Sequence, residues 1–340
     1  MTATLNANEL FSKLESIKVG GTTCRYPIEK CEQLTPLINE INQIKKEKNA
    51  LILAHSYVSP EIIYGVSDFV GDSYYLSKQA RDSNSDIIVF AAVKFMAETA
   101  KILSPDKTVL IPSQNNGCTL ADSITGAQVA ALRQQHPNHT FVCYINTTAD
   151  VKARCEVCVT SSNVYDIVEK IPNDKIFFLP DRFMGQNIIN EMARRGVEKE
   201  ILYSDGTCYV HEEYDPEMIQ FIKSEYPGID VISHPECKPE VLAESDFVGS
   251  TSELINYVSK SAHKDFFVLT ECGLTGRIQA EFPEKRLVGT CTMCRYMKSN
   301  TLENILSSLK APGPHNQITL ERDVMDKARG CIDNMFRYTA

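Results

Sequence analysis

A chain of 340 residues is too long for one small module and suits several compact domains. With 43% hydrophobic and 23% charged residues it reads as globular, not disordered or fibrous. A formal net charge of −9 speaks against the broad basic footprint of a nucleic-acid binder, so nucleic acid is not an expected partner.

Residues 1–47, which run into the charged stretch LINEINQIKKEKN over 37–49, read as an N-terminal helical extension. The opening MTATLNANELFSKLES lacks a signal-like apolar segment, and the longest apolar run, Ile87 to Val93, falls far short of the roughly 18 residues of a membrane span. The expected location is therefore cytoplasmic, with no membrane partner.

Beyond the extension the chain repeats itself. SDFVGDSYYLSKQA begins at Ser67 and SDFVGSTSELINYVSK at Ser245, sharing five identical residues in a row; CEVCVTSSNVYDIVEK from Cys155 keeps the same layout more weakly. Each copy follows an apolar strand with a polar end: LILAHSY, FVCYIN and DVISHPE. A second buried strand comes next (DIIVFAA, KIFFLPD, DFFVLT), then a helical stretch (FMAETAKIL, FMGQNIINEMARR, TGRIQAEF) and a third strand (TVLIPS, EILYSD, RLVGT). Strands alternating with helices predict an α/β protein with parallel sheets. We divide it into three homologous small domains, 48–133, 134–222 and 223–311, and a closing helix over 312–340. No low-complexity linker separates them, so tight docking is expected, with the active site at the centre of a pseudo-threefold arrangement.

A cysteine follows the third strand of every unit: Cys118 in NNGCTLAD, Cys208 in DGTCYVHEE and Cys294 in CTMCRYM. The separations, 90 residues from 118 to 208 and 86 from 208 to 294, match the repeat itself. Threefold packing would bring three thiolates to one point. Three thiolates leave one position open on a tetrahedral zinc, or one iron uncoordinated in a [4Fe-4S] cluster. Ligand type alone does not choose between them. Cys291 rivals Cys294 for the third position, or the two form a redox pair. Cys155-x-x-Cys158 has no counterpart in the other units and reads as buried packing.

The polar strand ends His55-Ser56-Tyr57, Tyr144-Ile145-Asn146 and His234-Pro235-Glu236 fall in register, and ligands of parallel α/β units collect at such ends. His234 and Glu236 offer an acid/base pair, Tyr57 a phenolic donor and Asn146 a neutral hydrogen-bonding group. Hydroxyls follow at matched distances: 18 residues from His55 to Ser73, 17 from Tyr144 to Ser161 and 16 from His234 to Ser250, with Thr251 beside it. At a strand-to-helix turn they would help to bind an anion, or simply cap the helix. His211 either acts as an acid beside the metal or orients its loop. Lys94 and Arg182 would meet substrate anions or form ordinary salt bridges.

The set LAHSYVSPE, SDFVGDS, FMAETAK, NNGCTLADS, CYINTTADVKA, TSSN, GTCYVHEE, HPE, DFVGSTSEL and GTCTMCRYM resembles the quinolinate synthase family of bacterial NAD biosynthesis, over about residues 25 to 335. The resemblance implies three α/β domains around an oxygen-sensitive [4Fe-4S] cluster held by Cys118, Cys208 and Cys294. Some members carry a longer Cys-x-x-Cys-x-x-Cys run, of which this chain has only the last two cysteines. The implied reaction condenses iminosuccinate with dihydroxyacetone phosphate to give quinolinate, phosphate and water. Substrate contacts would fall on His55, Ser73, Tyr144, Ile145, Asn146, Ser161, His234, Pro235, Glu236 and Thr251. Glu236 with His234 would move protons, assisted by Tyr57 and His211. A functional link to L-aspartate oxidase is expected as the source of iminosuccinate. Two other classes use the same residues: a zinc-dependent hydrolase and a non-catalytic iron–sulfur sensor. The sensor would more naturally carry a basic arm or DNA-binding helix, and none is evident.

Overall fold

The computed structural model describes residues 4–18, 25–289 and 292–339, so Cys291 lies outside the described residues. Among these, three separate four-stranded sheets form. The first contains β1 (Ala50–His55), β2 (Phe69–Gly71), β3 (Ile87–Ala91) and β4 (Thr108–Leu110). The second contains β5 (Thr140–Tyr144), β6 (Val157–Val159), β7 (Lys175–Leu179) and β8 (Glu200–Tyr203). The third contains β9 (Asp230–Ser233), β10 (Phe247–Val248), β11 (Asp265–Leu269) and β12 (Arg286–Val288).

One strand order recurs: β2-β1-β3-β4, β6-β5-β7-β8 and β10-β9-β11-β12. Every neighbouring pair is parallel. The cause lies in the strand sequences. Central strands such as LILAH and DFFVL are apolar at successive positions and buried along almost their whole length, as a parallel sheet covered on both faces requires. Helices including Lys94–Leu103, Arg182–Arg195 and Cys272–Glu281 supply the cover. The protein is therefore α/β with three small parallel-sheet units.

Parallel pairing puts the carboxyl ends of neighbouring strands side by side. His55 pairs with Gly71, Tyr144 with Val159 and Ser233 with Val248. The polar triplets foreseen in the sequence thus emerge from the same end of each sheet. The helix after the second central strand is tied to the cysteine-bearing loop alike in each unit. The N–H of Lys94 donates to Asn116, that of Arg182 to Gly206 and that of Cys272 to Thr292.

The N-terminal segment forms helices Ala7–Leu14 and Ile28–Glu47, which bury Leu10, Leu14, Ile38 and Ile41. At the other end the chain departs from a single closing helix. Pro312 and Pro314 keep it from starting there; Gln317 forms an antiparallel bridge to Leu110, and the helix runs only over Arg322–Thr339. That bridge covers the exposed edge of β4, while the helix packs on β6 of the second unit. No described helix is long and apolar enough to cross a membrane.

Gly273 marks a contact between the first and third units. A methyl group there would lie 2.7 Å from both the Tyr57 carbonyl oxygen and Glu271 Oε2. Gly273→Ala is expected to lower the urea unfolding midpoint by an amount equivalent to about 1–3 kcal/mol; an unchanged midpoint would show that the contact can relax freely.

Candidate active site

One cavity collects the strand ends of all three units. Its wall includes His55, Tyr57 and Ser73 from the first, Tyr144, Ile145, Asn146, Ser161 and His211 from the second, and His234, Glu236 and Thr251 from the third. Cys118, Cys208 and Cys294 line the same cavity. Two residues marked by the sequence stand behind it. Ser250 caps helix Thr251–Lys260 by accepting the N–H of Glu253. Pro235 uses its carbonyl to accept from buried Asn187, at 2.9 Å. Ser73 and Ser161, by contrast, are not caps, because Asp72 and Asn163 occupy those positions. Their hydroxyls are therefore not committed to helix capping. Lys94 and Arg182 face outward in loose ion pairs with Glu98 and Glu212, each 3.9 Å long.

Each cysteine precedes a four-residue helix: Thr119–Asp122, Tyr209–Glu212 and Arg295–Lys298. The backbone N–H groups two and three residues ahead point at the sulfur in every case: Leu120 and Ala121, Val210 and His211, Tyr296 and Met297. Without a cation, burial pushes all three thiols up, Cys118 to about 12. Three soft donors with converging N–H groups fit a thiolate-ligated metal centre, whose positive charge would favour the ionised sulfur. Cys208, His211 and Glu236 form a second possible metal-binding group, with donor atoms within 4.8 Å of one another.

Glu236 is the electrostatic focus. Tyr144 donates to its Oε1 at 2.7 Å and Asn146 at 3.4 Å. His211 Nδ1 lies 3.1 Å from Oε2, close enough for ion pairing though off the axis of a hydrogen bond. Burial raises the carboxyl, but His211, His234 and the Tyr144 hydroxyl outweigh it and hold Glu236 at about 2. It is a carboxylate at neutral pH and hence a proton acceptor.

The two strand-end histidines use one device. The N–H of Tyr57 donates to His55 Nδ1 (3.2 Å) and that of Glu236 to His234 Nδ1 (3.3 Å). Burial drives both rings down to about 3, so they are neutral and keep their proton on Nε2.

Three participants carry no motif that the sequence reading could use. Thr270, just after β11, shares its hydroxyl between Tyr57 Oη (2.6 Å) and His211 Nε2 (3.0 Å). It joins Tyr57 to His211, whose other ring nitrogen lies beside Glu236. Glu271 accepts the N–H of Cys294 at 3.1 Å and pairs with Lys298 at 3.0 Å. Lys298 also donates to the carbonyl of Tyr57, which ties the third cysteine loop to the first unit.

A cavity at the ends of parallel strands that brings a carboxylate, neutral histidines and three thiols to one wall marks a small-molecule enzyme with a capacity for metal. Residues 39–337 match the family described as quinolinate synthetase A protein. Curated relatives bear the name quinolinate synthase. The Caulobacter vibrioides protein is 43% identical over 306 residues, spanning 88% of this chain and 81% of its own length. That of Clostridioides difficile is 44% identical over 303 residues, spanning 88% and 97%. The chain belongs to the quinolinate synthase family and is an enzyme of that type.

Two outcomes follow from the geometry. Thr270→Val should lower quinolinate formation by about tenfold or more, because two buried polar groups lose their shared partner, whereas Thr270→Ser should restore most of it. Equal loss in both variants would mean that the hydroxyl does not matter. Stability should also fall as pH drops below 6.5. The unfolded chain protonates His55 and His234 there while the folded one resists to about 3, worth about 1.4 kcal/mol per pH unit for each ring. Glu236, at about 2 in the fold, adds the same sign below the ordinary carboxyl range. Urea midpoints between pH 7.5 and 5 measure the slope. His55→Asn, which keeps an acceptor for the Tyr57 N–H, should flatten it.

Proposed function

We propose that the enzyme condenses iminosuccinate with dihydroxyacetone phosphate to give quinolinate, phosphate and water in NAD biosynthesis, in the cytoplasm, with iminosuccinate supplied by L-aspartate oxidase. The observation that carries this reading is the convergence of Cys118, Cys208 and Cys294 on the cavity that also holds Glu236. In our reading the three units close about a pseudo-threefold axis, and the three cysteines hold a [4Fe-4S] cluster with one open iron. Bound there, the cluster would supply Lewis acidity toward substrate oxygen.

The chain's own residues would do the rest. Ser73, Ser161 and Thr251 present hydroxyls to the substrate anions, with His55, Ile145 and Asn146 completing the walls and Pro235 and Ser250 shaping them from behind. Glu236 takes a proton at Oε2, since Oε1 already accepts from Tyr144. His234, stacked on His211 at a centroid distance of 4.8 Å, fixes the backbone of Glu236 by accepting its N–H at Nδ1. Tyr57 and His211, joined through the Thr270 hydroxyl, assist beside Glu236, and burial limits the water that would hydrolyse an imine.

The Cys208, His211 and Glu236 group favours a second reading, a mononuclear zinc hydrolase. Anaerobic purification separates the two. The cluster reading expects a brown protein with iron and sulfide, and the zinc reading a colourless one. Glu236→Gln should retain iron and sulfide yet lose about 10²–10⁴-fold in turnover when both substrates are supplied. A fully active variant would remove Glu236 from its role, and a colourless wild type with zinc would overturn the cluster.

A further inference from the structure

Away from the cavity, four other thiols meet in the second unit. Cys143 lies on β5, Cys158 on β6, Cys155 just before β6 and Cys331 on the C-terminal helix. Cys143 and Cys158 are register partners on adjacent strands. The sulfurs of Cys143 and Cys331 are 3.5 Å apart although 188 residues separate them in sequence. The thiols of Cys155 and Cys158 are near enough to act on that of Cys143, and that of Cys331 on Cys158. A sulfur–sulfur approach of this kind suits thiol–disulfide exchange.

We propose that this nest is an oxidant-responsive modification site, in which a reversible Cys143–Cys331 disulfide ties the C-terminal helix to the strand that ends in Tyr144. The oxidant is a peroxide. Cys155, 8% exposed against 0% for Cys143 and Cys158 and 2% for Cys331, is where it enters. The Cys155 thiol, which burial keeps protonated, passes its proton to the Cys143 sulfur as it attacks the peroxide oxygen, giving a sulfenic acid and, for hydrogen peroxide, hydroxide, which takes up that proton to become water. The Cys143 sulfur then displaces water from the sulfenic acid, forming Cys155–Cys143. The Cys331 sulfur attacks Cys143 and releases Cys155 as a thiol. Overall, two thiols and one hydrogen peroxide become one disulfide and two waters.

Charge supports the central position of Cys143. Burial pushes its thiol up, but hydrogen bonds from Cys155, Cys158 and Cys331 and the nearby Lys152 ammonium outweigh it and hold the group well below the ordinary thiol range. Lys152 is itself enclosed and fixed by the carbonyl of Ile145 at 2.8 Å and the Thr147 hydroxyl at 3.2 Å. The cross-link would thus form one residue from Tyr144, whose hydroxyl holds Glu236.

The test is a peptide map of the full-length protein, purified anaerobically, exposed to hydrogen peroxide, alkylated and digested without reduction. Mass spectrometry should find a peptide pair joined through Cys143 and Cys331 that dithiothreitol separates. Cys155→Ser should slow its appearance several-fold, and Cys331→Ala should abolish it. The proposal fails if Cys143 and Cys331 are recovered as separately alkylated peptides at doses that oxidise other cysteines, or if Cys155→Ser forms the link at the wild-type rate. Should Cys331→Ala not fold, the wild-type map and Cys155→Ser decide the matter.

Discussion

Parallel pairing is the constraint on which the rest of the structure depends. A parallel strand cannot return by a tight turn, so each unit must cross over through helices and present its strand ends on one side. Three units with one strand order repeat this, and their loops share a single cavity. No unit builds the cavity alone. The first supplies His55 and Cys118, the second Tyr144 and Cys208, and the third Glu236 and Cys294.

Sharing the cavity creates an electrostatic problem, because an ionised carboxylate is enclosed there. Its partners Tyr144, Asn146 and His211 all come from the second unit, across from the third unit that carries it. Such a group is tolerable only while those partners stay in place. The same holds for Glu271, whose burial raises its carboxyl while Lys298 counters it. Catalytic geometry and docking of the units are therefore one set of contacts. The buried thiols complete the argument. Burial alone keeps them protonated, while the N–H groups aimed at each sulfur and a bound cation act in the opposite direction.

Much of this architecture was readable in the sequence, for particular reasons. The repeated SDFVG run gives β2 and β10, the apolar runs give the central strands, and the period of Cys118, Cys208 and Cys294 places them in equivalent loops. These features are carried by repetition, which survives in one dimension. What was hidden depends on single contacts between distant segments. Thr270 looks like any strand-end threonine until Tyr57 and His211 arrive on either side. Lys298 pairs with Glu271 across unrelated loops. Cys331 sits in a helix whose polar face reads as ordinary, so its approach to Cys143 had no sequence signal. Ser250 and Pro235 have the right period but a wall residue's back position, because a helix cap and a carbonyl acceptor occupy the same register as a binding group.

An anaerobic crystal structure with anomalous scattering recorded at the iron edge reaches the central claim most directly. The account predicts iron density in the shared cavity, bonded to the sulfurs of Cys118, Cys208 and Cys294 together. Metal bound instead by Cys208, His211 and Glu236, or three sulfurs with no iron between them in a protein that makes quinolinate, would contradict it.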